Sequence, residues 1–338
     1  VNLMRAELER LSARRFVQLM VVLLVLAFAV TAATTLAGSH KPNADEMNSA
    51  RAQAAEARQG MEVAFQQCLS RQNGTLPQSE MGQYFPEECS SIDPIRQDRL
   101  PIPADYLPGV FSFAGQALPL LYFLIAFLVL FGFLVGASYI GADLNSGGVV
   151  NLLLWRPRRL TVLAAKLGTL LGTVLVLAVL ASVAYLATFW VIGQTAGLPG
   201  QLDGDFWRSL GAVHGRGLVL VLLASALGFA IATLGRHTSA ALGAAAAYAV
   251  LWELGGRLVL EIVDARRPDQ LMLSSHIATW LTGRTRFYDP QVCAGSTSTG
   301  YCESFYSLNW PTALLVLLVL TGGLTAAAFA VFRRRDLI

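Results

Sequence analysis

The chain has 338 residues, 54% hydrophobic and only 14% charged, with a formal net charge of +3. That charged fraction is well below the ~25% of soluble domains. With a mean hydropathy of +0.53, it excludes an ordinary soluble domain and predicts a polytopic membrane protein. The small net charge, with no basic stripe interleaved with aromatics, excludes a nucleic-acid partner. Lysine occurs only at Lys41 and Lys166, and the Arg-, Ala-, Leu- and Gly-rich usage points to a GC-rich bacterial genome.

In chain order, residues 1–15 place Leu3, Met4, Leu8 and Leu11 on one side of a helix, with Arg5, Glu7, Glu9, Arg10 and Arg14 elsewhere. This predicts a helix lying in the membrane interface, or a solvated helix touching a partner. A cleaved signal peptide is disfavoured by the acidic residues and by the length of the next apolar run. Six runs then approach the ~20 residues that a bilayer core requires: residues 16–37, 118–140, 167–192, 218–234, 240–260 and 312–332. Arg14, Arg15, the cluster within 156–166, Arg236 and Arg333 to Arg335 all fall on one side of that layout. The positive-inside rule makes this side cytoplasmic, with both ends of the chain on it. Residues 38–117, 193–217 and 261–311 then face outward, whereas 141–166, 235–239 and 333–338 face inward. The expected fold class is an all-α polytopic membrane protein with six transmembrane helices, an interfacial helix at residues 1–15, and a disulfide-stapled extracytoplasmic domain between helices 1 and 2. Within that domain, residues 45–69 are Ala-, Glu-, Gln- and Arg-rich and predict a helix, whereas 77–108 read as extended or turned.

Cysteine usage agrees with this topology. Cys68 and Cys89 lie in the first outer segment, and Cys293 and Cys302 in the last. Four spans separate the two segments, so all four cysteines share the oxidising side. Four cysteines allow three pairings. Pairing within each segment is expected, with a Cys68–Cys302 staple as the rival. A zinc site lacks CxxC or neighbouring histidines.

The densest interior basic cluster lies in residues 141–166, GADLNSGGVVNLLLWRPRRLTVLAAK. Gly147 and Gly148 permit a tight turn, and Pro157 cannot continue a helix. Residues 149–155 therefore read as a short amphipathic element between two spans. Asp143, Ser146-Gly147, Leu152-Leu153-Leu154, Arg156-Pro157, Arg159 and Lys166 together resemble the cytoplasmic loop of ABC-2-type ABC transporter permeases. That family more often has Glu where Asp143 stands and Thr near Val149.

The resemblance implies that this loop is a coupling helix docked on a separate ATPase. Asp143, Gly147, Gly148, Leu152, Leu153, Leu154, Trp155, Arg156, Pro157, Arg159 and Lys166 would serve that contact. It also implies two copies of an ABC ATPase subunit, a second permease subunit (identical or a paralogue), and ATP and Mg²⁺ held by the ATPase rather than by this chain. The long first outer segment resembles the ABCA-type arrangement, which implies a hydrophobic or amphiphilic cargo exported across a bacterial cell membrane.

No GxxxxGK[ST] is present, so the chain is not expected to cradle a nucleotide. Gly136-Ala137-Ser138 is similar to the Gly-x-Ser of intramembrane serine proteases. Yet His40, His214, His237 and His276 all fall in loops or span ends, leaving Ser138 without a general base. Glu253 and Arg257 partly match the Glu-Glu-x-x-x-Arg of CAAX-type membrane proteases, with Trp252 in place of the first Glu. An intramembrane enzyme is therefore the weakest alternative, and a membrane-embedded sensor without transport is the stronger one. Glu253, Arg257 and Glu261 recur every four residues on one helical face. Glu253 and Arg257 are expected to pair there, either as a structural pair hydrated near the interface or at a dimer contact, or as part of a translocation path.

Overall fold

The computed structural model describes residues 2–74, 89, 92–94, 100–148, 158–289 and 305–334. Among them, five helices are long and apolar enough to cross a bilayer: α2 (Arg15–Ala37), α4 (Phe113–Asn145), α5 (Arg159–Ala196), α6 (Gly204–Gly235) and α10 (Trp310–Arg334). Before them, α1 (Asn2–Ser12) runs to within three residues of α2. The fifth apolar run of the sequence is also helical, in three consecutive pieces. These are α7 (Thr238–Ala247), a π-helix (Tyr248–Gly256) and α8 (Arg257–Ile262).

Several helices outrun their apolar cores. The start of α6 is capped by Asp203, whose carboxylate accepts from Phe206 N at 2.8 Å. Arg208, His214 and Arg216 interrupt the hydropathy run there but not the helix. Leu210, Val213 and Gly217 still form a buried stripe at helical spacing.

The centre of the bundle is the crossing of α4 and α6. A Cβ at Gly132 or Gly136 would strike Ser225, and one at Gly228 would strike the Phe133 carbonyl. These positions let two backbones touch, the packing mode available to helices that gain nothing by hiding apolar surface from lipid. Leu121, Leu128 and Tyr139 of α4, Leu170 and Phe189 of α5 and Phe229 of α6 fill the surrounding core. By contrast α2 leans on this core lightly, burying only Val17 and Leu24.

The segment between α2 and α4 carries α3 (Ala44–Gln72), opened by a capping box. Asn43 Oδ1 accepts from Glu46 N at 2.8 Å, and Glu46 accepts from Asn43 N at 2.9 Å. Ala50 of α3 packs on Leu107 and Val110, and Cys68 is joined to Cys89. Cys293 and Cys302 lie outside the described residues. Strand β1 (Phe111–Ser112) pairs in parallel with β2 (Gly197–Leu198), which ties this segment to the end of α5. Ser39 Oγ strengthens the tie by donating to Ala196 O at 2.5 Å and accepting from Phe111 N at 2.9 Å. A short helix α9 (Leu273–Thr282) and an antiparallel pair, β3 (Arg284–Tyr288) with β4 (Phe305–Asn309), precede α10. This ribbon and the short β1–β2 pair are local additions to a mostly helical set of described residues.

Candidate functional site

The loop between α4 and α5 stands at the end of the bundle that carries the basic helix ends. Its inner residues, including Leu152, Leu153, Leu154, Trp155, Arg156 and Pro157, lie outside the described residues, as does the expected element at 149–155. Both stems are described. Helix α4 ends at Asn145, and Gly147 turns the chain with φ +71° before Gly148, the left-handed region where glycine is favoured. Helix α5 begins at Arg159.

The two stems are bound together through α1. Lys166, 1% exposed, donates from Nζ to Glu7 Oε2 at 2.6 Å and to Asp143 Oδ2 at 2.7 Å. The Tyr139 hydroxyl donates to the same Glu7 oxygen at 2.5 Å. Arg14 donates to Asp143 Oδ1, and to the Ser138 carbonyl at 3.2 Å. Arg10 reaches the other Glu7 oxygen at 3.3 Å. The Tyr139 ring underlies both cations, with Lys166 Nζ at 4.8 Å and Arg14 Cζ at 5.1 Å from its centroid. Glu7 and Asp143 balance Lys166 and Arg14, with Glu7 and Lys166 buried, Asp143 and Arg14 partly so, and Arg10 reaching in from the exposed side. Burying charges costs more than most pairs return unless every lone pair is met, and the best-attested use of such a set is to fix register. Here the register is that of α1 against the last turns of α4 and the first turns of α5.

On α1, Leu11 and Glu7 are both buried at 1% exposed and Leu8 is 46% exposed, so a carboxylate placed off the apolar side by the sequence reading sits inside the bundle. Lys166 and Tyr139 offer Glu7 charge and a hydroxyl that water need not supply. Glu7, Arg14 and Tyr139 were absent from the sequence-based site. One signal existed: Glu7 lies midway between Leu3 and Leu11 at spacings of four, inside the apolar stripe rather than beside it.

A second polar cluster joins the π-helix to α9. Glu253 Oε1 accepts from Tyr248 Oη at 2.8 Å and Ser274 N at 3.0 Å, and Oε2 accepts from Ser274 Oγ at 2.8 Å. Trp252 Nε1 donates to Leu271 O at 3.1 Å. The expected Glu253–Arg257 pair is therefore replaced. Arg257 turns to Glu261 at 3.2 Å and Asp269 at 3.7 Å. The reason is the wide helical turn: i→i+5 bonding sets Tyr248 beside Glu253, while Glu253 caps the free N–H groups that open α9. Farther out, Tyr306 Oη donates to Asp269 at 3.3 Å. Burial, then the Asp269 charge, pushes that hydroxyl up to about 12.

Glu253→Ala removes three bonds to a charged acceptor, each worth about 1.5–3 kcal/mol. Amide exchange over 272–276 is expected to accelerate, with α4 unchanged. Unaltered exchange there would show that Glu253 does not hold α9.

The family described as "ABC-2 family transporter protein" matches residues 1–337. No curated protein matches the chain.

Proposed function

This chain belongs to the ABC-2 family of transporter proteins, and from that premise we propose that it is the membrane-spanning permease subunit of an ABC exporter. In this reading six spans cross a bacterial cell membrane, the composite helix of α7, the π-helix and α8 being the fifth of them in chain order. The basic end is cytoplasmic. Two ATPase subunits bind ATP and Mg²⁺, and a second permease subunit, identical or paralogous, completes the transporter. The cargo is hydrophobic or amphiphilic.

The observation that carries the proposal is the closed cluster of Glu7, Arg14, Tyr139, Asp143 and Lys166. A loop that only joins two spans needs no ion pair between its stems, one partner of it fully buried. A loop that is pushed must pass its displacement to the helices without slipping, and ion pairs at both stems prevent slipping. ATP shifts the conformational equilibrium only as far as it binds the two states of the transporter differently. Stiff stems carry that difference to α4 and α5.

Leu153 and Trp155 are too apolar to be left in water and would meet the ATPase. With the ATPase subunit co-expressed and the complex reconstituted in vesicles, Leu153→Ala with Trp155→Ala should leave hydrolysis running. Export of a fluorescent amphiphile should fall at least about tenfold, equivalent to ~1.4 kcal/mol of coupling. Transport at the unmodified rate by an assembled double variant would remove the coupling role.

A further inference from the structure

We propose that the groove between α2 and α5 holds one acyl chain of an anionic phospholipid, with its headgroup at the basic end of the bundle. The groove has a volume of about 700 Å³ and runs along α5 from Gly172 to Tyr185, with Val21, Val25 and Phe28 forming its α2 wall. Leu8 of α1 stands at one end. The Phe28 and Tyr185 rings, 5.3 Å apart, lie together at the other. Between these ends Val25, Val176 and Leu180 are each more than half exposed, so the groove opens sideways.

Its lining selects hydrocarbon. The Thr173 hydroxyl is already used, donating to Thr169 O at 2.8 Å, and the Tyr185 hydroxyl is buried beneath the surface. Its length suits an extended chain: the thirteen rises of 1.5 Å from Gly172 to Tyr185 give roughly 20 Å along α5.

The headgroup choice comes from charge at the mouth. Arg15, Gln18, Val21, Val25 and Phe28 recur at three or four residues and share one face of α2, so the exposed Arg15 heads the same stripe that walls the groove. Arg5 stands one turn before Leu8 on α1. It is 82% exposed, and its pair with Glu9 at 3.4 Å is open to water, so it remains available to a phosphate. Two arginines over an apolar slot fit an anionic phospholipid.

The test uses the full chain in phosphatidylcholine bilayers doped with phosphatidylglycerol bearing a diazirine in one acyl chain. Cross-linked peptides are read by mass spectrometry, with no ATPase present, so the result is independent of the transport reading. Labelling at Val25, Val176 and Leu180 should saturate with probe and exceed severalfold that at Leu318 and Val319, exposed apolar residues of α10. Gly172→Leu fills the slot without a clash, since a Cβ there meets nothing within 4 Å. It should reduce groove labelling to the α10 level while α10 labelling stays constant. Arg5→Gln with Arg15→Gln should abolish the preference for phosphatidylglycerol over a phosphatidylcholine probe and keep the chain labelling. Non-saturating labelling equal to that of α10, groove labelling indifferent to Gly172→Leu, or shielding of the groove by a second copy would each overturn the proposal.

Discussion

Lys166→Met is expected to destabilise the protein by about 3–5 kcal/mol, the usual cost of leaving buried charge without its partner. Folded proteins hold only ~5–15 kcal/mol in reserve, so the yield of assembled protein should fall sharply. The substitution keeps the length and apolar bulk of the side chain, and what changes is the charge between Glu7 and Asp143. Combining it with Glu7→Gln removes the stranded acid, leaves Asp143 with Arg14, and should recover much of the loss. In a double-mutant cycle on thermal unfolding, the pair should show a coupling of about 0.5–3 kcal/mol, as contacting residues do. Additive effects would show that Glu7 and Lys166 do not act as one unit. Where stability recovers, transport in the Glu7→Gln and Lys166→Met double variant should stay impaired, because α1 no longer registers the loop stems. A structural role alone would restore both together.

Gly136→Leu or Gly228→Leu is expected to abolish the folded bundle. At both positions the first added carbon meets backbone, the Ser225 and Phe133 carbonyls, which cannot rotate aside. Overpacking typically costs ~1–3 kcal/mol where side chains can shift, and here the helices themselves must separate. Even Gly136→Ala should lower the melting temperature. Gly322→Ala is the control: its Cβ meets nothing within 4 Å, and alanine in a helix interior is worth up to ~1 kcal/mol over glycine. Fluorescence-detected gel filtration after heating compares them. A Gly136→Ala protein as stable as Gly322→Ala would show that α4 and α6 do not need close contact there.

The 141–166 loop stood out in the sequence because its constraints are local. Glycines that permit a turn, a proline that ends a helix and clustered arginines keep their meaning in any fold. Asp143 and Lys166 were found in this way, as members of a spaced pattern. What they bind was not legible: Glu7, the second partner of Lys166, is 159 residues from it along the chain, Arg14 is 129 residues from Asp143, and only packing brings them together. On α1 the burial of Leu11 was legible and that of Glu7 was not. Hydrophobicity alone does not place a carboxylate inside; the Lys166 ammonium and the Tyr139 hydroxyl that receive it come from remote helices. The Glu253–Arg257 pairing failed because it assumed 3.6 residues per turn in a segment that takes a wider one.

By itself, the sequence determined that this chain lives in a membrane, roughly where its long apolar helices lie, and where its positive charge is clustered. Those properties follow from solvation and backbone chemistry, summed residue by residue over short windows. Only the tertiary structure decided which charges are buried together, where two backbones touch, and where α2 stands off far enough to leave a groove. Each of these depends on the distance between helices remote in sequence, and close packing, rather than composition, sets that distance.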